Sequence, residues 1–451
     1  MHTTLRMIAR LTLLLSLLLL ITLPAQAEER VQLRITNPFE NKTPVAIPAF
    51  KVSGASAEET ELAKQAVSLL QETLAFTGYF RMVNPEAFLE DPSKTGITEQ
   101  DIHFNRWRSS GAELLVTGSL TVSGQAIIGD FYLYDIFRQK SLFGVRFRGA
   151  GAPETNLRPL ILKLADKIMV TYSGKHGYFG SRIAFVSTGK TGTKEIWASA
   201  FDGHNPVQIS RNKAISLTPS WSPDGSKITY TSYVKNKPDI YLQGSWPGAR
   251  RDLVTSKGTT NITPTWLPDG KNMAASLTID GDQAIYLLTE KGKIRKRLTR
   301  KWSKWGIDLS PVFSPSGDRM AFVSKRSGTP QIYVKHLKSG RIERLTFDGR
   351  YNTSPAWSPT GDQIAYAGFK EGHFDIHVID ARGGRPMQLT RNTGDNETPS
   401  WSPDGSLIVF SSNRRGSSSI YVMNAYGTDQ RKLVSLPGEQ TAPVWSPNLT
   451  Q

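Results

Sequence analysis

Two histidines four residues apart, His373 and His377 in the stretch KEGHFDIH, are the only close pair among the chain's seven. Residues i and i+4 of a strand face the same side, so the pair could offer two imidazole nitrogens to one metal ion. No third ligand is evident beside them, and a surface or blade-packing role is the preferred reading. Nucleophilic chemistry has less to work with. The chain has no cysteine, and no Gly-x-Ser-x-Gly that would present a serine on a strand-to-helix elbow to a histidine base. No glycine-rich stretch has the strand–turn–helix setting of a phosphate loop. Aspartates are the remaining candidates, because Asp224, Asp269 and Asp404 each stand between a proline and a glycine. Such residues either line a metal or sugar site or simply build turns, and turn chemistry needs nothing further to explain them.

The setting of those aspartates recurs. It reads TPSWSPDG from Thr218, TPTWLPDG from Thr263, SPVFSPSG from Ser310, SPAWSPTG from Ser354, TPSWSPDG from Thr398 and APVWSPNL from Ala442, at steps of 45, 47, 44, 44 and 44 residues. A regular period of about 40–45 residues is the length of a four-stranded propeller blade. Proline pre-sets φ in the turn, aspartate bonds locally and glycine accepts positive φ. The aromatic residue, Trp221, Trp266, Phe313, Trp357, Trp401 or Trp445, reads as a packing wedge between neighbouring blades. A second strand follows each turn, as in KITYTS from Lys227 and RMAFVS from Arg319, and it also opens the series as RIAFVS from Arg182. Six copies predict a six-bladed β-propeller. The series starts on a second strand and ends on a first, so the phrase at Ala442 is expected to pair with the strand at Ile183 and close the ring.

The fold class predicted is therefore multidomain, an N-terminal α+β domain followed by an all-β propeller. The boundaries are expected at 1–27 for a signal peptide, 28–175 for the α/β domain and 176–451 for the ring. Arg6 and Arg10 precede an apolar run from Leu11 to Leu23, and Ala25-Gln26-Ala27 supplies a small-x-small cleavage site. That run is too short to span a bilayer, no cysteine follows it for a lipid anchor, and export without disulfides is expected. In the next domain Val31, Leu33 and Ile35 alternate as a strand does. Ser56 and Glu59 form a capping box ahead of a helix with Leu62, Ala66, Leu69, Leu70 and Leu74 on one face, stopped at Thr77-Gly78. Strands are expected from Leu114 to Ile128, Asp130 to Phe137 and Leu142 to Phe147. A second helix carries Leu157, Leu160, Ile161, Leu164 and Ile168, and Tyr172 to Gly180 reads as a linker.

Charge narrows the partners. The chain carries a formal +16, and removing Arg6 and Arg10 with the leader leaves +14. In an exported protein such a balance favours acidic proteins or anionic envelope surfaces over nucleic acid. The densest run, Glu290 to Trp305, reads as the outer strand of a blade with its loop. The candidate contact residues lie just before each repeated phrase. Ile215–Thr218, Thr260–Thr263, Ile307–Ser310, Tyr351–Ser354, Asp395–Thr398 and Glu439–Ala442 differ from one another while the scaffold behind them does not. Position held constant with identity left free is what a recognition rim needs.

An exported chain with a small α+β domain and a ring of six such repeats resembles the TolB family, periplasmic components of the Tol–Pal system. The resemblance implies a scaffold without catalysis, cofactor or metal, acting as a monomer. It supports outer-membrane integrity and constriction during cell division, and is peripheral to the envelope without spanning it. It implies that the propeller mouth receives Pal, a peptidoglycan-associated lipoprotein. Mapped onto this chain, that contact falls on Leu217, Thr218, Ile262, Thr263, Asp308, Leu309, Thr353, Ser354, Glu397, Thr398 and Thr441. It further implies that TolA, an inner-membrane protein, is engaged by the segment Glu28, Glu29, Arg30, Val31, Gln32, Leu33, Arg34, Ile35, Thr36 and Asn37. Some members are also entered at the mouth by bacteriocins. The rival reading is a periplasmic glycan-binding or glycan-active propeller that uses channel tryptophans and aspartates.

Overall fold

Each copy of the repeated phrase becomes the innermost strand of a four-stranded antiparallel sheet, and six such sheets make the ring. In the second of them Ser216–Trp221 is followed outward by Lys227–Ser232, Asp239–Gly244 and Arg251–Thr255. The second strands are buried along nearly their whole length, as Ile228 and Tyr230 are, because each lies between two neighbouring sheets. The ring closes as the phase of the repeat requires. Gln440–Trp445 pairs antiparallel with Arg182–Ser187, and Trp445 stands opposite Ile183. The computed structural model describes residues 39, 41–54, 56–190, 192–303 and 306–449. The expected signal peptide (1–27) and the segment Glu28–Asn37 lie outside the described residues, as does the strand expected at Val31–Ile35.

From Asn41 onward the chain forms one compact unit. Its first sheet contains β1 (Thr43–Ala46), β2 (Lys51–Val52), β3 (Phe80–Met82), β4 (Leu114–Ser123), β5 (Ala126–Asp135) and β6 (Lys140–Ala150). Their order is β3-β1-β4-β5-β6, with β2 also on β4. Two long helices, α1 (Ala57–Phe76) and α2 (Pro153–Ser173), pack against it and bury Leu62, Leu70, Leu160, Ile161 and Leu164 with Phe131 of β5. Both helices fall where apolar spacing places them.

Three local expectations change. The hairpin between β4 and β5 turns at Gly124, whose φ is +60, while Gly129 lies within β5 where a Cβ would strike the Phe131 ring. Glycine here marks a close approach, not the end of a strand. Half of the capping box forms: Ser56 Oγ accepts from Glu59 N at 3.1 Å, but Glu59 Oε1 reaches across to accept from Val122 N of β4 at 3.3 Å. The stretch Tyr172–Gly180 is more than a linker. Its Tyr178 is fully buried and meets Phe76 of α1, Phe201 and Trp445 edge to face. A single apolar core therefore runs from the first sheet into the ring.

Among the described residues, the polar ties between the first region and the ring come from one end of the ring. Arg431 Nη2 donates to the Phe76 carbonyl at 2.6 Å, Lys42 pairs with Asp429 at 2.8 Å and Arg158 with Asp202 at 2.7 Å. Asp202 and Asp429 lie on connections from third to fourth strands and Arg431 opens a fourth strand, at the end toward which the inner strands run. At the other end, where the inner strands begin, no described residue of the first region makes a hydrogen bond or salt bridge.

Candidate functional site at the mouth of the ring

Inner strands begin at this free end with three residues ahead of the proline, and each of the three positions has its own fate. The third is Thr218, Thr263, Ser310, Ser354, Thr398 or Ala442, and all six have φ between +49 and +52. Left-handed backbone is unfavourable for a residue with a Cβ, most of all a β-branched one. Here it is imposed by a bulge. In every blade the register with the second strand shifts across this residue and its proline, as between Leu217 and Ser220. Hydroxyls help to hold it: Thr218 meets Thr231, Thr263 meets Ser276 and Thr398 meets Ser411, each at 3.0 Å. Six prolines and their hydroxyl-bearing neighbours thereby line an axial cavity of about 420 Å³.

The first position is Ser216, Asn261, Asp308, Asn352, Asn396 or Gln440, and none is more than 1 % exposed. These side chains serve the seams between blades. Asn261 Nδ2 donates to Asp239 at 3.0 Å, Asn352 Nδ2 to Gln331 at 2.7 Å and Asn396 Nδ2 to Asp375 at 3.2 Å, in each case on the preceding blade. Asp308 accepts from Arg326 at 3.2 Å through both oxygens. Its carboxylate is buried and paired, so Asp308, one of the contact residues the resemblance implies, faces the seam and not the open mouth. The reason is strand alternation: neighbours on a strand point to opposite faces.

The second position is Leu217, Ile262, Leu309, Thr353, Glu397 or Thr441, and these residues retain exposure at the mouth. Glu397 is the open acid of the set. The surrounding channel wall, and after it the charge of Asp395, push its pKa above the usual glutamate value. Water still reaches the group, so desolvation here means a crowded mouth and not enclosure. The ring thus brings Leu217, Thr218, Ile262, Thr263, Leu309, Thr353, Ser354, Glu397, Thr398 and Thr441 to one mouth, with Asp308 turned away. Apolar side chains stand beside them, of which sequence reasoning placed Ile215 in the rim and missed Trp302 and Phe347. Ile215, Trp302 and Phe347 are 46 %, 38 % and 70 % exposed, on connections that lead into inner strands. Their place just upstream of the repeated phrase was the available signal.

The chemical candidates occupy other places. His373 Nε2 lies 3.1 Å from Asp375, and His377 Nδ1 is 3.0 Å from the Asp375 carbonyl with its ring stacked on Tyr366. Burial pushes the His377 pKa down. Among the described residues no group of three or more His, Asp or Glu could hold a metal ion. The turn aspartates answer to their own turns. Asp224 accepts from Ser222 Oγ at 2.5 Å and from Ser226 N at 3.1 Å. Where the phrase reads SPSG or SPTG, the aspartate after the glycine takes over: Asp318 accepts from Ser314 at 2.8 Å and Asp362 from Ser358 at 3.0 Å.

A family model described as the TolB beta propeller domain matches residues 170–449, and one described as the TolB amino-terminal domain matches residues 31–142. Among curated relatives, the Tol-Pal system protein TolB of Desulfosudis oleivorans is 48 % identical over 290 residues, 64 % of this chain and 65 % of that one. The protein TolB homolog of Chlorobium luteolum is 36 % identical over 294 residues, 65 % of this chain and 64 % of that one. These alignments thus span slightly less than two thirds of either relative's length. A crystal structure of TolB from Acinetobacter baumannii superposes with a TM-score of 0.77 at 25 % identity, covering 90 % of this chain and 97 % of that one.

Proposed function

The chain belongs to the TolB family, and on that premise we propose that it is a periplasmic, non-catalytic scaffold whose propeller mouth receives a Pal-like lipoprotein. The segment Glu28–Asn37 engages a TolA-like inner-membrane protein, and the two contacts together serve outer-membrane integrity and constriction at division. The observation that carries this reading is the mouth itself. Six differing stretches are presented at equivalent positions by a bulged scaffold, at the end of the ring opposite the polar ties to the described part of the first region. Rigid presentation lowers the ordering cost of association.

The test is capture of Pal from envelope extract after cross-linking. Thr353→Trp places bulk at the mouth and Glu397→Lys reverses its open acid; each should reduce recovery at least tenfold in a folded protein. Undiminished capture by both would move the site elsewhere. Deleting residues 28–37 should abolish recovery of the TolA-like protein and leave Pal recovery intact. The glycan reading draws little support, because Trp221, Trp266, Trp357, Trp401 and Trp445 are only 6–9 % exposed and offer no open stacking face.

A further inference from the structure

The connections from fourth strands into the next inner strands surround the mouth, and five of the six carry an exposed cation: Lys213, Lys257, Lys301, Arg350 and Arg391. None of these side chains is in a salt bridge within the described residues. The sixth connection carries Glu439, which lies 3.8 Å from Lys194 and is thereby offset. At the opposite end many charges are already paired: Lys227 with Glu290, Arg382 with Asp380 and Arg341 with Glu343. Part of the chain's basic balance is thus expressed at the mouth as a collar of cations outside salt bridges among the described residues, with Asp348 beside Arg350 as an exposed acid.

From this we infer that the partner received at the mouth presents an acidic polypeptide segment, drawn in by the cationic collar and seated over the axial cavity. The inference rests on the proposed function and adds the chemistry of the partner. A protein segment fits better than an anionic polymer or a lipid surface for two reasons. Ile215, Trp302 and Phe347 stand exposed on the same connections as the cations, and apolar anchors set among arginines and lysines are the composition of a protein interface. The rigid cavity at the centre is concave, which a flat bilayer cannot follow but a chain or loop can. Cations at the rim of such an interface act chiefly on the association rate and on salt dependence.

The experiment uses the mature protein and three probes: the periplasmic domain of the Pal-like lipoprotein, a glutamate-rich ten-residue peptide and vesicles rich in anionic phospholipid. Association rates and affinities are measured from low to high NaCl. The collar should make association with the Pal-like domain fall at least tenfold as salt rises, since exposed charges are screened within about 10 Å at 0.1 M. The triple variant Lys257→Glu, Arg350→Glu, Arg391→Glu should remove most of that salt dependence. The control Lys271→Glu, Lys338→Glu, Arg385→Glu changes charge equally at the other end of the ring and should bind as the parent does. The acidic peptide should compete, and a lysine counterpart should not. Binding to the Pal-like domain that ignores both salt and the collar variant would overturn this inference and leave the proposed function standing. Salt-sensitive peptide binding with no capture of the Pal-like domain would do the reverse. Vesicles bound as tightly as either protein probe, and lost with the collar variant, would overturn it in favour of a lipid surface.

Discussion

The repeated aromatic residue does two jobs, and only one is visible in its type. Trp221, Trp357 and Trp401 fill the seams, and their indole N–H groups donate to Val444, Val312 and Ala356 on the preceding inner strand at 3.1, 3.2 and 3.2 Å. Trp357→Phe keeps most of the wedge but strands the Val312 carbonyl. It should cost about 1 kcal/mol, read as a lower urea midpoint at unchanged slope. The left-handed residue before each proline makes a second prediction. Ala442 holds φ +49 with only a methyl group, so Ala442→Gly loses no hydrogen bond. Glycine should raise stability by about 0.5 kcal/mol, the relief of strain outweighing its greater unfolded freedom. The same change at Thr398 should gain less, because it deletes the bond to Ser411. Turn aspartates set a pH dependence. Hydroxyl bonds, from Ser222 to Asp224, from Ser316 to Asp318 and from Thr360 to Asp362, hold these carboxyls below the usual value of 3.8. Their contribution is full above that value and is lost as pH falls through the lowered pKa values. The melting deficit of Asp318→Asn should therefore be present at about pH 7 and shrink toward about pH 3.

Among elements, the closing strand matters most. Gln440–Trp445 supplies the inner strand of a sheet whose other three strands come from residues 182–208. Removing residues 440–451 leaves Arg182–Ser187 as a free edge and takes away Trp445, one of the rings packed on Tyr178. The whole ring should lose cooperativity and associate, which thermal melting and size-exclusion chromatography would register. Simple deletion of the tail beyond Pro447 should have a much smaller effect. The element-level reading of the sequence was most secure where one period ran long: six inner and six second strands, and helices α1 and α2. It failed where a single residue carried two meanings, as Gly129 did.

In the molecule as a whole, the first sheet and the ring share a core, so they should not melt as independent bodies. Arg431 lies at that junction, its guanidinium 4.3 Å from the centre of the Phe76 ring and donating to the Phe76 carbonyl. Arg431→Ala should cost about 1.5–3 kcal/mol and expose the segment after α2 to protease, read as faster cleavage near Gly174. Architecture was legible from sequence alone, because a repeat period and a turn signature depend on local chemistry that every copy states again. The stretches at the mouth were legible too, as the places where the repeat stops repeating. Tertiary structure decided what each residue there does. Alternation sends Asn261, Asp308 and Asn352 into the seams while Leu217, Thr353 and Glu397 stay at the mouth. Closure of the ring gathers cations from connections up to nearly two hundred residues apart into one collar. No window along the chain contains that information, because the distances that set burial and charge exist only once the ring has closed.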